Sequence, residues 1–373
     1  MEEISNGMLK DVRPVDHKKL QKAVAVSYER KLPLFVWGTF GIGKSYAIRE
    51  FGKAYAKENG LKFSDSIFET GPGIFTVGVV SATQIGPAEL PGLPFPDRAA
   101  GTTTYLLSEL LPKDGQGIFF CDELNLGSKM VQSSFYSLIW DRRAGRYIMP
   151  AGWVAIGAGN TSADRAHVQE FSMPLKNRMG HVQLLPSSAE NWIEDFARPN
   201  DVDDRITTFF LFKGSYLYQY NSDSLEEMFA IPTHRSWKMA SDSIKGCEDL
   251  DEVEDRVATY VGTSTAYEFV EYHKMIRNYN IAEIFQKEKL EAPEDPSELY
   301  ALLGGIIEYY AKHHKNDVTL SGKIFCLMFC LNKEHAVILI KQTKLLNKKI
   351  FAEARQTHED IVKKAVMEFK EIA

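Results

Sequence analysis

The chain has 373 residues, 44% of them apolar and 25% charged, which is an ordinary globular composition with room for two or three compact units. A net charge of −6 speaks against a polycation that coats nucleic acid, while leaving room for a local basic channel. Cys121, Cys247, Cys326 and Cys330 form no paired framework and fit a reducing cytoplasmic interior; the polar start MEEISNGMLKDVRPVD does not read as a signal peptide, and no apolar run approaches the roughly 20 residues of a membrane span.

In chain order, Asp16 is expected to cap a helix with Leu20, Val24 and Tyr28 on one face, ending near Arg30. The wholly apolar run LPLFVW, Leu32 to Trp37, reads as a central parallel strand buried on both faces. A glycine loop follows. Then Ala47, Ile48, Phe51, Ala54 and Tyr55 recur at helical spacing until Asn59-Gly60 stops the helix. Further strands are expected at 75–82, 117–123, 153–160 and 181–185, with helical patterns between most of them. One such helix is capped by Ser128 and carries Val131, Phe135, Leu138 and Ile139. Strands alternating with helices predict an α/β domain built on a mainly parallel sheet. Past about Pro186 helical patterns dominate, and Gln286 to Glu298, charged and carrying two prolines, reads as a linker. The expected organisation is an α/β nucleotide-binding domain over 1–185, an α-helical lid over 186–285 and a C-terminal helical region over 286–373. Val362, Ala365, Val366, Phe369 and Ile372 form the apolar stripe of the last helix. Cys326 and Cys330 share one helix face and are expected in the core, and Cys121 reads as a small buried strand residue. No internal repeat is present.

The loop GTFGIGKS matches G-x-x-x-x-G-K-[ST] from Gly38 to Ser45. Phosphate needs bare backbone N–H groups converging from one side, and glycines permit the tight turns and close approach. The following helix adds partial positive charge at its N-terminus. Candidate nucleotide contacts are Gly38, Thr39, Phe40, Gly41, Ile42, Gly43, Lys44, Ser45 and Tyr46. Lys44 has the reach for β- and γ-phosphates, and the Ser45 hydroxyl suits Mg2+.

Two more strand ends add chemistry. In GIFFCDELN, four apolar residues run into Asp122 and Glu123, where ligands bind in parallel sheets. Asp122 is the candidate Mg2+ carboxylate, and Glu123 is the candidate base for an attacking water. In WVAIGAGNTS, Asn160 ends the strand as a candidate amide for the water or a γ-phosphate oxygen. Arg178, just before a strand, and Arg235, near a helix start, are candidates to meet developing γ-phosphate charge.

The ordered set GTFGIGKS, IFFCDELN, GAGN, NR before a strand, and THRSW resembles an AAA+ ATPase, and within that group a MoxR-like one. GPAELPGLPFPD and DELNLGSKMVQSSFYSLIWDRRAG carry the closer likeness; it is firm over about Leu32 to Leu185, looser through AENWIEDFA and THRSW, and weak over the last hundred residues. The resemblance implies that Gly38, Gly41, Gly43, Lys44 and Ser45 form the Walker A loop, with Asp122 and Glu123 as Walker B and Asn160 as sensor 1. It implies Arg178 as an arginine finger acting on a neighbouring subunit's ATP, with Arg165 a competitor for that role, and Arg235 as sensor 2. Leu124 stands where the family more often has Ile. The inserts at Pro91–Leu107 and Arg142–Trp153 occupy family positions, the second expected as a hairpin turning at Ala144-Gly145. The implied protein hydrolyses ATP with Mg2+, assembles as a homo-oligomeric ring, expected to be a hexamer, and remodels or matures a client. That client is a separate chain, for which a von Willebrand A domain is a family precedent. Two alternatives stay open. One is a nucleic-acid motor or loader using Arg142, Arg143, Arg146 and Tyr147. The other is a slow nucleotide-dependent switch, GTP included.

Overall fold

The computed structural model describes residues 9–161, 171, 173–220 and 229–369. The chain divides into two compact units, Met1–Pro186 and Ser187–Ala373.

In the first unit the elements are β1 (Arg13–Val15), α1 (His17–Arg30), β2 (Leu34–Trp37), α2 (Lys44–Glu58), β3 (Lys62–Ser64), β4 (Ile74–Ser81), β5 (Leu93–Asp97), β6 (Thr102–Leu106), β7 (Gln116–Asp122), α3 (Lys129–Trp140), β8 (Arg143–Ala144), β9 (Tyr147–Ile148), β10 (Gly152–Gly159), α4 (Met173–Lys176) and β11 (Gly180–Leu184). Seven strands make one sheet in the order β1-β11-β2-β10-β7-β4-β3. Every neighbouring pair in it is parallel. The apolar runs follow from this placement: Ile118, Phe119, Phe120 and Cys121 of β7 have no exposed surface, because strands flank them and apolar side chains cover them. Burial pushes the Cys121 thiol well above its ordinary pKa, which suits a packing role. Glycines set the layer spacing. A Cβ on Gly52 of α2 would lie 2.5 Å from Val77, and one on Gly117 of β7 would lie 1.9 Å from the Thr76 carbonyl oxygen.

Two small antiparallel hairpins hang from the sheet, β5–β6 and β8–β9. In the second, Ala144 pairs with Tyr147, so the turn is Gly145-Arg146, one residue later than Ala144-Gly145; Gly145 supplies the positive φ of 58°. Arg142 donates to the carbonyls of Trp153 and Pro150, and Tyr147 is buried with its hydroxyl on Pro112 O. Those two residues therefore hold the hairpin, and Arg143 and Arg146 stay exposed.

The second unit is helical: α5 (Ala189–Trp192), a π-helical turn (Ile193–Ala197), α6 (Asp204–Phe212), α7 (His234–Ile244), α8 (Leu250–Val261), α9 (Thr263–Arg277), α10 (Ile281–Lys287), α11 (Pro296–His313), α12 (Leu320–Met328), α13 (Lys333–Leu346) and α14 (Ile350–Glu368). One hydrophobic cluster runs from Trp192 to Phe369 and so crosses position 285/286. The expected linker is shorter than 286–298, because α10 reaches Lys287 and Asp295 caps α11 by accepting from Ser297 and Glu298 N–H. The two cysteines expected on one helix face are not core residues: α12 ends at Met328, so Cys330 lies beyond it and is exposed, and Cys326 within it is partly exposed. Val362 and Ala365 of α14 are buried as their spacing demands, while Ile372 lies outside the described residues.

Candidate functional site

The loop between β2 and α2 stands at the C-terminal edge of the sheet. Gly41 and Gly43 have φ of 72° and 91°, the left-handed region in which a side chain is strained. A Cβ on Gly38 would meet Ile42 Cδ1 at 2.8 Å and the Leu184 carbonyl at 3.0 Å, so the loop closes tightly on β11. No side chain caps the N-terminus of the 15-residue α2 and its first turn holds no acid. An anion there meets backbone donors and the positive end of the helix.

Register brings the other candidates to the same edge. Ala158 pairs with Val36, and Gly157 with Cys121, so Asp122 sits level with Ala158 and Val36. Ser81 of β4 pairs with Asp122. Lys44 Nζ donates to Gly38 O (2.7 Å), Thr39 O (2.9 Å) and Asn160 Oδ1 (3.0 Å). Ser45 Oγ donates to Asp122 Oδ2 at 2.7 Å. The loop, the acid of β7 and the amide of β10 are therefore one constellation on three adjacent strands. The residues fit a triphosphate with a divalent cation. The ammonium donates to two carbonyls and an amide oxygen over a glycine cradle that side chains would fill. The hydroxyl–carboxylate pair is the hard-oxygen donor set that Mg2+ prefers. Thr39, Phe40, Ile42 and Tyr46 lie in the loop and the first turn of α2, as the motif requires.

Glu123 has φ of 54°, unusual for a residue with a side chain. Its carboxylate accepts from Thr83 Oγ1 (3.0 Å) and Ser81 Oγ (3.2 Å) at the end of β4. The backbone outlier and the two hydroxyls together aim the acid along the strand ends.

Three residues that motif reasoning did not single out hold this geometry. Asn125 is fully buried; its Nδ2 donates to Asn160 O (2.7 Å) and its Oδ1 accepts from Asn160 N–H (3.1 Å). The amide thus clamps both backbone groups of Asn160. Gly159 makes room for it, since a Cβ there would lie 2.1 Å from Asn125 Oδ1. His17, at the start of α1, donates Nε2–H to Ile42 O at 2.9 Å and braces the loop from outside. Thr83 is the third. The asparagine after D-E-L was legible as a motif letter, whereas nothing near His17 or Thr83 in sequence marks them.

Arg178 follows α4 and precedes β11, where Gly180 pairs with Leu34 at the start of β2. It therefore sits at the edge of the sheet opposite the loop that follows Trp37. Its guanidinium stacks 4.3 Å over Tyr136 and 6.0 Å from the Trp140 ring centre, at the far end of α3, and Nη1 donates to Pro174 O. Arg235 is an exposed residue in the first turn of α7 in the second unit; Thr233 caps that helix in a capping box with Ser236. Arg165 lies outside the described residues.

No protein-family model and no curated protein matches the chain. Among solved structures, a point mutant of RuvB from Thermotoga maritima is 17% identical, with 77% of this chain and 81% of that one covered and a TM-score of 0.37. The ORC2 protein of Aeropyrum pernix, in ADPNP and ADP complexes, is 13% identical over 96% of this chain and 98% of its own, TM-score 0.37. NtrX from Brucella abortus in complex with ATP is 12% identical over 93% and 71%, TM-score 0.35. The chain's own sheet order and loop geometry define its fold: a P-loop parallel-sheet unit followed by a helical unit.

Proposed function

We propose that the chain is an ATP-hydrolysing AAA+ protein of MoxR-like type that works as a homo-oligomeric ring. The observation that carries this reading is the convergence of Lys44, Ser45, Asp122, Glu123 and Asn160 at the ends of β2, β7 and β10. Gly38 to Gly43, Lys44 and the first turn of α2 hold the phosphates. Ser45 and Asp122 hold Mg2+, which when bound neutralises charge on the β- and γ-phosphates. Glu123 accepts a proton from a water positioned beside Asn160, and Ser81 and Thr83 keep its carboxylate aimed. Lys44 exchanges its carbonyl partners for phosphate oxygens, a stronger charge-assisted pairing.

The place of Arg178 supports assembly. At the opposite edge of the sheet it is out of reach of its own loop, so it acts on the ATP of a neighbouring subunit and couples hydrolysis to subunit geometry. Such a ring, a hexamer in this reading, remodels a separate client protein, for which a chain with a von Willebrand A domain is a candidate. In this reading Arg235, in the first turn of α7, is the sensor 2 arginine, and 186–285 is the lid. Four free cysteines support a cytoplasmic setting. No helix among the described residues is long and apolar enough to cross a membrane.

The test is ATP turnover per subunit against protein concentration, with Glu123→Gln as the inactive control. Subunit-completed sites predict specific activity that climbs with concentration and then levels off. A monomer at the lowest concentration with undiminished activity would sink the ring, and absence of turnover at every concentration would favour a nucleotide switch.

A further inference from the structure

In the helical unit, three side chains that no nucleotide chemistry uses come together. Glu288, Cys326 and His358 each offer one donor atom, and these atoms all lie within 4.8 Å of one another. They come from three elements: the C-cap of α10, the body of α12 and the middle of α14. All three are partly buried, so an ion could enter and still be shielded.

The backbone makes this meeting with two departures from regular geometry. Glu288 caps α10 in the left-handed region, φ 51° and ψ 31°. His358 breaks the helical run of α14 with φ −138° and ψ 50°. α12 also yields space: a Cβ on Gly322 would lie 2.0 Å from His358 Nδ1 and 2.6 Å from Thr357 Oγ1. A left-handed residue that carries a side chain, as Glu288 does, persists where the surroundings over-determine it, and such residues cluster at ligand sites.

The imidazole is also oriented as a ligand. His358 Nδ1 lies 2.9 Å from Thr357 Oγ1, an oxygen able to accept from Nδ1–H in the Nδ1-protonated tautomer. That tautomer leaves the Nε2 lone pair free on the side of Glu288, whose Oε2 lies 3.9 Å away. A hydrogen bond that fixes the far nitrogen is the usual outer-shell partner of a metal-bound histidine.

We propose that Glu288, Cys326 and His358 bind a zinc-class divalent cation. A thiolate, a carboxylate and a neutral imidazole balance the two positive charges and form a mixed S/N/O set that suits zinc. Tetrahedral bonds of about 2.0–2.3 Å put donors roughly 3.3–3.5 Å apart, so the cluster closes by little more than about 1 Å. The fourth position takes water. Binding releases the Cys326 proton to solvent and ties α10, α12 and α14 together.

The test uses the full chain, freed of metal and without nucleotide, titrated with Co2+ and then Zn2+. The expected result is one Co2+ per chain with a thiolate-to-cobalt charge-transfer band, bleached by Zn2+. Cys326→Ser abolishes the band, His358→Ala and Glu288→Gln weaken binding at least ~10-fold, and Thr357→Val weakens it about 10-fold by freeing the ring. Cys330→Ser leaves the band intact. X-ray absorption of the zinc-loaded wild type needs no variant: one sulfur at about 2.3 Å with nitrogen and oxygen at about 2.0 Å is expected. No band in the wild type, a band that survives Cys326→Ser, or a zinc shell without sulfur would overturn the proposal.

Discussion

Asn125→Ala separates the machinery from its support. The side chain is fully buried and makes two hydrogen bonds, 2.7 and 3.1 Å, to the backbone of Asn160. Net, each such bond is worth about 1 kcal/mol. Asn160 is only half-buried, so water partly replaces them, and the stability loss should be about 1–2 kcal/mol. A folded domain survives that. Catalysis should suffer more. Asn160 Oδ1 sits 3.0 Å from Lys44 Nζ, and a misplacement of about 1 Å at such a group costs on the order of 100-fold. The cavity does not close by relaxation of the glycine alongside, because Gly159 carries no side chain to move into it. The expected outcome is kcat for ATP hydrolysis down about 10- to 100-fold, with a modest fall in melting temperature and nucleotide affinity nearly unchanged, since the loop itself is untouched. Turnover within about twofold of wild type, at the lowered stability, would refute the clamp as a catalytic support and make it a folding device only.

Three further outcomes are expected. Arg178→Ala should abolish concentration-dependent turnover while leaving nucleotide binding intact, and mixing it with Glu123→Gln subunits should restore part of the activity, because each variant supplies what the other lacks; mixtures as inactive as either parent would count against a trans role. Gly117→Ala should destabilise the sheet strongly, since the new Cβ would stand 1.9 Å from the Thr76 carbonyl oxygen and the β4–β7 pairing must open; urea unfolding midpoints measure it, and an unchanged midpoint contradicts the packing. In the helical unit, burial lifts the Glu308 carboxyl to about 7, and burial with the nearby Arg205 drops the His273 imidazole to about 3. Glu308 has a raised folded pKa, so its contribution to stability is complete below its unfolded value and is lost as pH rises through about 7; His273 has a depressed one, so its contribution is present above its unfolded value and fades as pH falls toward about 3. Glu308→Gln should therefore gain stability relative to wild type between about pH 5 and about pH 8 in urea titrations, and a pH-independent difference would show that the acid is not protonated in the fold.

Much of this protein is written in contiguous stretches of its chain. The five central strands of the sheet are legible because a parallel strand covered on both faces must be apolar throughout, as Ile118 to Cys121 are, whereas the short, partly exposed edge strands β1 and β3 carry no such run. The phosphate loop was legible because its glycines, Lys44 and Ser45 lie within eight residues whose backbone makes the cradle. Asp122 and Asn160 followed, since a polar residue ending a buried run falls at the ligand-binding edge. What the chain leaves to tertiary structure is the pairing of distant side chains. The clamp of Asn125 on Asn160, the brace of His17 under Ile42 and the hold of Thr83 on Glu123 join residues 25 to 40 positions apart. Their meeting depends on strand register and on which elements lie side by side. The same holds for Glu288, Cys326 and His358, and for the partly exposed Cys326 and exposed Cys330 that periodicity assigns to the core. A helical stripe tells which residues share a face. Only the neighbours of that face decide whether it is covered, and by what.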